Sequence, residues 1–170
     1  NQAAHHVDLL THFLGRAKSC YAIGKTFGSN IETEDTCLGQ IEFNNNVHAI
    51  IEATTSIRPK NVEGSLSIIG QNGFIEIGGH AVNKMLHWEI SGQEPARADT
   101  EQESNVSDVY GSGHVSVYAH IAHCLNTGEV SNLEWEGVND TIELIAALYK
   151  SMETGQVVKL PLSGEHSLLG

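Results

Sequence analysis

Basic residues are scarce in this sequence. Lysine and arginine together number 9 against 21 aspartates and glutamates, which leaves a formal net charge of −12 across 170 residues. A field of that sign repels phosphate backbones and anionic lipid, so it weighs against nucleic acid and membrane surfaces as partners. Long apolar runs are missing as well. Nothing approaches the roughly 18 consecutive apolar residues that a spanning helix needs. The opening Asn1-Gln2-Ala3-Ala4-His5-His6 has neither the basic start nor the apolar stretch of a secretion signal. Cysteine is rare, and Cys20, Cys37 and Cys124 form no CxxC pair. An odd number at such spacing argues against a disulfide framework and fits a reducing compartment, so a cytoplasmic location is expected. The three thiols read as small buried apolar side chains. There is no initiating methionine, and the chain reads as a piece of something longer.

Familiar site motifs are absent too. The 10 histidines include no HExxH, and no cysteine cluster has zinc spacing, so surface or hydrogen-bonded histidines are expected and a metal is not. No GxxxxGK[ST] occurs. Gly111-Ser112-Gly113-His114 begins like GxGxxG but follows a polar stretch, where its glycines more simply let the backbone turn into a helix. The chain has no recognisable cofactor site of its own.

What is present alternates between two periods. Val7, Leu10 and Leu14, widened by Leu9 and Phe13, predict an opening helix that Gly15 stops. Strands follow over residues 19–27, 36–43 and 47–55, with Asn44-Asn45-Asn46 as a turn because asparagine tolerates left-handed backbone. Two apolar runs flank Gln71-Asn72-Gly73 within residues 65–78, a strong hairpin cue, and residues 84–90 read as a sixth strand. Six strands without intervening helices predict an antiparallel sheet. Residues 91–109 turn polar and read as a loop, disordered in isolation.

Two helices are predicted near the end. The first covers residues 113–126, with a stripe of Val117, Ile121, Cys124 and Leu125 and an end at Gly128. The second covers residues 139–153, with Ile142, Ile145, Tyr149 and Met152 broadened by Leu144 and Leu148, ending at Gly155. Asn139 or Asp140 would cap it, Asp140 with Glu143 as a capping box. Residues 157–160 form a last strand before Pro161. Leu66 and Ile68 fall on one side of their strand and Ile69 on the other, so the sheet is apolar on both faces. Helices of one chain cover one face, and the other is expected to mediate self-association.

One spacing points to chemistry. In Asn1-x-x-x-His5-x-x-Asp8 the amide and the imidazole stand at i and i+4 and can meet one sugar hydroxyl. Asp8, at i+3 from His5, can fix the imidazole's orientation or tautomer. Histidine suits proton transfer from a hydroxyl undergoing oxidation because its pKa lies near neutrality. Taken alone, the pattern equally fits the polar side of an ordinary amphipathic helix.

Further along, Ala53-Thr54-Thr55-Ser56-Ile57-x-Pro59, Glu63-Gly64-Ser65-Leu66-x-Ile68-x-Gly70 and Gly73-Phe74-Ile75-x-Ile77-x-Gly79 occur in order. Tyr110-Gly111-x-Gly113-His114 and Ala147-Leu148-Tyr149-x-Ser151-x-x-Thr154-Gly155 complete the series. With Asn1-Gln2-x-x-His5-x-x-Asp8 at their head, these pieces cover nearly the whole chain. Their ordered sum resembles the second domain of Gfo/Idh/MocA oxidoreductases, most nearly those acting on UDP-N-acetylglucosaminuronic acid at its 3-hydroxyl.

The resemblance implies an α+β fold, an open-faced and mostly antiparallel sheet with helices packed on one face. It implies residues 1–162 as the substrate-binding and dimerisation domain and 163–170 as a tail. NAD or NADP would be held by an N-terminal domain that also carries a catalytic lysine, and none is expected on this chain. By the same resemblance His5 and Asn1 are the catalytic candidates, though many relatives carry Asp where Asn1 stands. Tyr110 and His114 are candidates for contact with a sugar or nucleotide-sugar substrate. A homodimer or homotetramer through the sheet is implied. The alternative is a non-catalytic ligand-binding or oligomerisation module of the same fold.

Overall fold

The structure, a computed structural model, describes residues 3–60, 62, 64–79, 82, 84–94, 113–131 and 136–164. These cluster into two units, Asn1–Lys60 with Leu133–Gly170 and Asn61–Asn132. The predicted loop lies outside the described residues from residue 95 onward.

The first unit opens with α1 (Ala4–Leu14), whose chain leaves the helix at Gly15 with φ 80°. That left-handed turn is open to glycine without strain, and its N–H bonds the Thr11 carbonyl at 2.8 Å. Next come β1 (Ala17–Lys25), β2 (Thr36–Phe43) and β3 (His48–Thr54). Asn46 turns the β2–β3 hairpin with φ 62°, the left-handed conformation expected of the asparagine run. Helix α3 (Glu136–Thr154, the third in chain order) and the short β7 (Val158–Lys159) complete the unit. The sheet runs β3-β2-β1-β7 and is antiparallel throughout.

Alternation sorts each strand by face. Cys20, Ala22, Ile41, Phe43 and Ile51 point into the core, with Phe43 and Ala22 fully buried. Tyr21, Ile23, Leu38 and Ile50 lie exposed on the other side. Helix α3 lies over β1 and β2 on the buried side, where two glycines make room for it. A Cβ on Gly24 would strike the Met152 sulfur, and one on Gly39 would come within 2.9 Å of Ile51 Cγ2 and 3.2 Å of Leu148 Cδ2. Leu144 and Phe43 are completely buried, each contributing roughly 1.5–3 kcal/mol of apolar transfer.

Two expectations for α3 are corrected. Of the predicted stripe, Leu144 and Leu148 are buried together with Thr141, Ala147 and Ser151, whereas Ile145, Tyr149 and Met152 are half-buried and Ile142 is 59% exposed. The small residues Ala147 and Ser151 permit close approach to the sheet, which turns that side inward. The helix also begins at Glu136, so Asp140 is internal and caps nothing. Asp140 instead accepts from Arg16 at 2.8 Å, and Glu143 accepts the Leu162 N–H at 2.8 Å.

Ser151 closes an edge of the sheet. β1 meets β7 only at Ser19 and Cys20, and beyond them the Ala22 N–H donates to Ser151 Oγ at 2.9 Å. That hydroxyl in turn donates to the Gln156 carbonyl at 2.7 Å. A buried amide that the short strand cannot pair is thereby satisfied.

The second unit holds a three-stranded antiparallel sheet of β4 (Leu66–Gly70), β5 (Gly73–Gly78) and β6 (Lys84–Ile90), followed by α2 (Gly113–Thr127). The predicted hairpin forms with Gly70 opposite Gly73. Among the described residues, positive φ outside glycine is confined to Asn46 and Val82, so Asn72 is not left-handed. Gly73 serves another purpose, since a Cβ there would collide with the Glu89 carbonyl of β6. Leu66 is buried and Ile69 is 83% exposed, so β4 is apolar on both sides as expected. The predicted stripe of α2 is not covered: Val117, Ile121 and Leu125 are exposed and Cys124 is half-buried. The fold is α+β with antiparallel sheets, and its strands divide between two sheets.

Candidate functional site

Helix α1 carries the residues singled out for chemistry. Val7, Leu10 and Thr11 are its buried side. His5, Asp8 and His12, at i, i+3 and i+7, share an exposed side. The predicted partner Asn1 lies outside the described residues.

Asp8 is engaged by α3. Its Oδ1 accepts the Thr141 hydroxyl at 2.9 Å, and its backbone carbonyl accepts the Thr11 hydroxyl at 3.0 Å. The two threonine oxygens stand 2.8 Å apart, and both residues are buried. A polar clamp thus joins α1 to α3 one turn from His5. Beside it a cleft of about 220 Å³ is lined by Asp8, Thr11, His12, Gly137, Val138 and Asp140. His5 does not line that cleft.

His6 behaves differently from its neighbour. It is half-buried, its Nε2 is buried without a hydrogen-bond partner among the described residues, and burial, followed by the nearby His5, pushes its pKa below the usual value. His114 begins α2 in the second unit and is exposed, while Tyr110 lies outside the described residues.

Sequence reasoning missed a second polar centre, in the first unit. The buried Asp35 carboxylate accepts the N–H groups of Phe27, Gly28 and Ser29 at 2.8–3.0 Å, and the Thr36 hydroxyl at 3.1 Å. The Ser56 hydroxyl, foremost, and then these donors hold its pKa far below the usual carboxylate range despite burial. Three successive amides converge on one anion, which shapes the loop after β1. The amide donors lie six to eight residues before Asp35, in a loop with no fixed-spacing motif to announce them.

Burial pushes the Cys20 thiol up to about 12, and no cysteine is paired. No group of histidine, cysteine and acidic side chains among the described residues could hold a metal. His123 bonds Glu129 at 3.1 Å and His120 bonds Ser131 at 3.2 Å. No helix among the described residues is long and apolar enough to cross a membrane. Every strand pairing here is antiparallel, and the described residues build no strand–turn–helix crossover of the kind that cradles a dinucleotide pyrophosphate.

The profile of the oxidoreductase-family C-terminal α/β domain matches residues 1–160. The chain belongs to the Gfo/Idh/MocA family. Among solved structures, this Gfo/Idh/MocA domain is similar to the WlbA dehydrogenase from Bordetella pertussis in complex with NADH and UDP-GlcNAcA. They share 33% identity and a TM-score of 0.83 over 96% of this chain and 47% of that one. The WlbA dehydrogenase from Chromobacterium violaceum, also bound to NADH and UDP-GlcNAcA, gives 34% identity and a TM-score of 0.80 over 96% and 46%. Levoglucosan dehydrogenase, bound to NADH and levoglucosan, shares the fold at 16% identity and a TM-score of 0.68, over 94% of this chain and 49% of that one. The chain therefore spans about half the length of the solved structures it matches. No curated protein matches it.

Proposed function

We propose that this chain is the substrate-binding half of an NAD(P)-dependent sugar dehydrogenase that oxidises a hydroxyl of a nucleotide sugar. The 3-hydroxyl of UDP-N-acetylglucosaminuronic acid is the preferred target. The observation that carries the reading is the match across 96% of the chain to a dehydrogenase holding NADH and UDP-GlcNAcA. The exposed His5, on a helix clamped to the core, supports it from the chain's own geometry.

In this reading the nicotinamide cofactor belongs to the half outside this sequence, and residues 1–162 form the substrate and dimerisation domain ahead of a short tail. His5 takes or relays the proton of the reacting hydroxyl. Asn1, a neutral amide, orients that hydroxyl without accepting its proton. Tyr110 and His114 contact the sugar or its nucleotide. The unpaired cysteines and the cofactor requirement fit a cytoplasmic enzyme. The apolar open face of the four-stranded sheet serves a second copy of the chain.

The test uses the enzyme with its cofactor-binding half. His5→Ala should lower kcat about 10²–10⁴-fold, the usual contribution of an acid–base group, with affinity for NAD nearly unchanged. Turnover close to wild type would remove His5 from the reaction.

A further inference from the structure

We propose that Thr141 is a positioning residue for His5, acting through Asp8; this rests on the reading of His5 given above. The residues are 136 positions apart in sequence, and only the packing of α3 on α1 brings them into one network. A threonine hydroxyl has one proton to donate. Three oxygens surround that of Thr141: Asp8 Oδ1 at 2.9 Å, Thr11 Oγ1 at 2.8 Å and the Gly137 carbonyl at 3.3 Å. The carboxylate is the strongest acceptor of the three, so the proton goes to Asp8, and Thr11 gives its own single proton either to the Asp8 carbonyl at 3.0 Å or to Thr141. Both threonines are buried, at 6% and 8% exposure, while the Asp8 carboxylate is exposed beside the cleft.

The consequence falls on one face of α1. Asp8 follows His5 by three residues and stands beside it on the helix surface. With Oδ1 held by Thr141, the second carboxylate oxygen stays open; no hydrogen bond joins it to His5 among the described residues, and turning the imidazole toward it would set the tautomer and aim the other nitrogen at the substrate. Removing Thr141 frees the carboxylate and lets α1 rotate on the core. Such misplacement of a reacting group by about 1 Å can cost around 100-fold in rate.

Thr141→Val keeps the side chain's shape and deletes the hydroxyl, whereas Thr141→Ser restores it. Both would be assayed in the enzyme with its cofactor-binding half, using UDP-N-acetylglucosaminuronic acid and NAD, alone and combined with His5→Ala. The His5 ring resonances would be followed by NMR in this chain. The expected result is about a 10–100-fold fall in kcat for Thr141→Val with KM for NAD unchanged, recovery in Thr141→Ser, and no further loss when valine is added to His5→Ala. His5 resonances should move in Thr141→Val and return in Thr141→Ser, while those of His87 stay in place.

Wild-type turnover and unmoved His5 resonances in Thr141→Val, beside a crippled His5→Ala, would overturn the proposal and leave His5 in its role. Losses that multiply in the double variant would overturn it as well, because Thr141 would then act on something other than His5. A fully active His5→Ala would defeat the reading of His5 and this proposal together. If Thr141→Val does not fold, Asp8→Ala at its exposed helical position removes the clamp from the other side. The same signature is expected there, and normal His5 behaviour in that variant also overturns the proposal.

Discussion

His6 and His5 are adjacent in sequence but meet different surroundings, because successive helical residues point about 100° apart. His5 is exposed, whereas the Nε2 of His6 is enclosed without a partner among the described residues. Burial, and then the proximity of His5, holds the His6 pKa below 6.5 in the folded state. The unfolded chain therefore binds a proton more readily between the folded value and 6.5. The stabilising effect of keeping His6 neutral is full above pH 6.5 and is lost as pH falls through the folded value. Urea unfolding at pH 7.5 and pH 5.5 should show the wild type losing stability faster than His6→Gln as the solution is acidified. Parallel pH dependences in the two proteins would mean that His6 does not report its burial.

At the scale of elements, the seating of α3 rests on two glycines that look alike in sequence and differ in what surrounds them. An added methyl at Gly24 meets the sulfur of Met152, the far end of a flexible side chain that can swing aside. At Gly39 it meets Ile51 Cγ2 at 2.9 Å and Leu148 Cδ2 at 3.2 Å, one β-branched and one packed into the core. Gly39→Ala should therefore cost about 1–3 kcal/mol, and Gly24→Ala less, although the unrelaxed contact is closer at Gly24. Denaturant midpoints measured for both variants check the order, and an equal or reversed cost would show that the sheet yields at Gly39. The same contrast shows what periodicity conveys. The pattern of Val7, Leu10 and Leu14 with Gly15 revealed α1 closely, because apolar spacing and a left-handed stop are local signals. For α3 it revealed a helix and the buried Leu144 and Leu148, but centred the buried face too far toward Ile142. The side that approaches the sheet is chosen by small residues, Ala147 and Ser151, and an apolar count gives them little weight. The capping box failed for a related reason: Asp140 and Glu143 answer to Arg16 and Leu162, groups that folding delivers from elsewhere.

For the molecule as a whole, the placement of His5 and Asp8 on one exposed side of α1 was legible because both lie within one helix. Thr141 was not, since its partner lies 133 residues away, and the Asp35 centre was not, because a loop that curls its amides onto one carboxylate has no fixed spacing. One exposed apolar face is likewise a product of folding. In the first unit's sheet Ile23 pairs with Leu38, and Tyr21 pairs with Gln40, which pairs with Ile50. These rows bring Tyr21, Ile23, Leu38 and Ile50 together on the side away from α3, with Ile50 80% exposed and Ile23 53%. Strand alternation would ordinarily place polar residues there, as it does in an antiparallel sheet that faces water. Gln40 lies between Tyr21 and Ile50 and Glu52 opposite Leu38, so the apolar side chains share this face with polar ones, and their exposure makes it a candidate interface. Two copies meeting face to face would bury the rows against each other, and a two-fold axis makes one patch serve both partners. Sedimentation of the chain across micromolar concentrations should therefore report a dimer or larger assembly. Ile50→Lys together with Ile23→Lys should shift it to monomer without unfolding it, because both side chains are exposed in the single chain. A wild-type protein that stays monomeric up to 100 times the working concentration, or a double-lysine variant that still dimerises, would place the interface elsewhere.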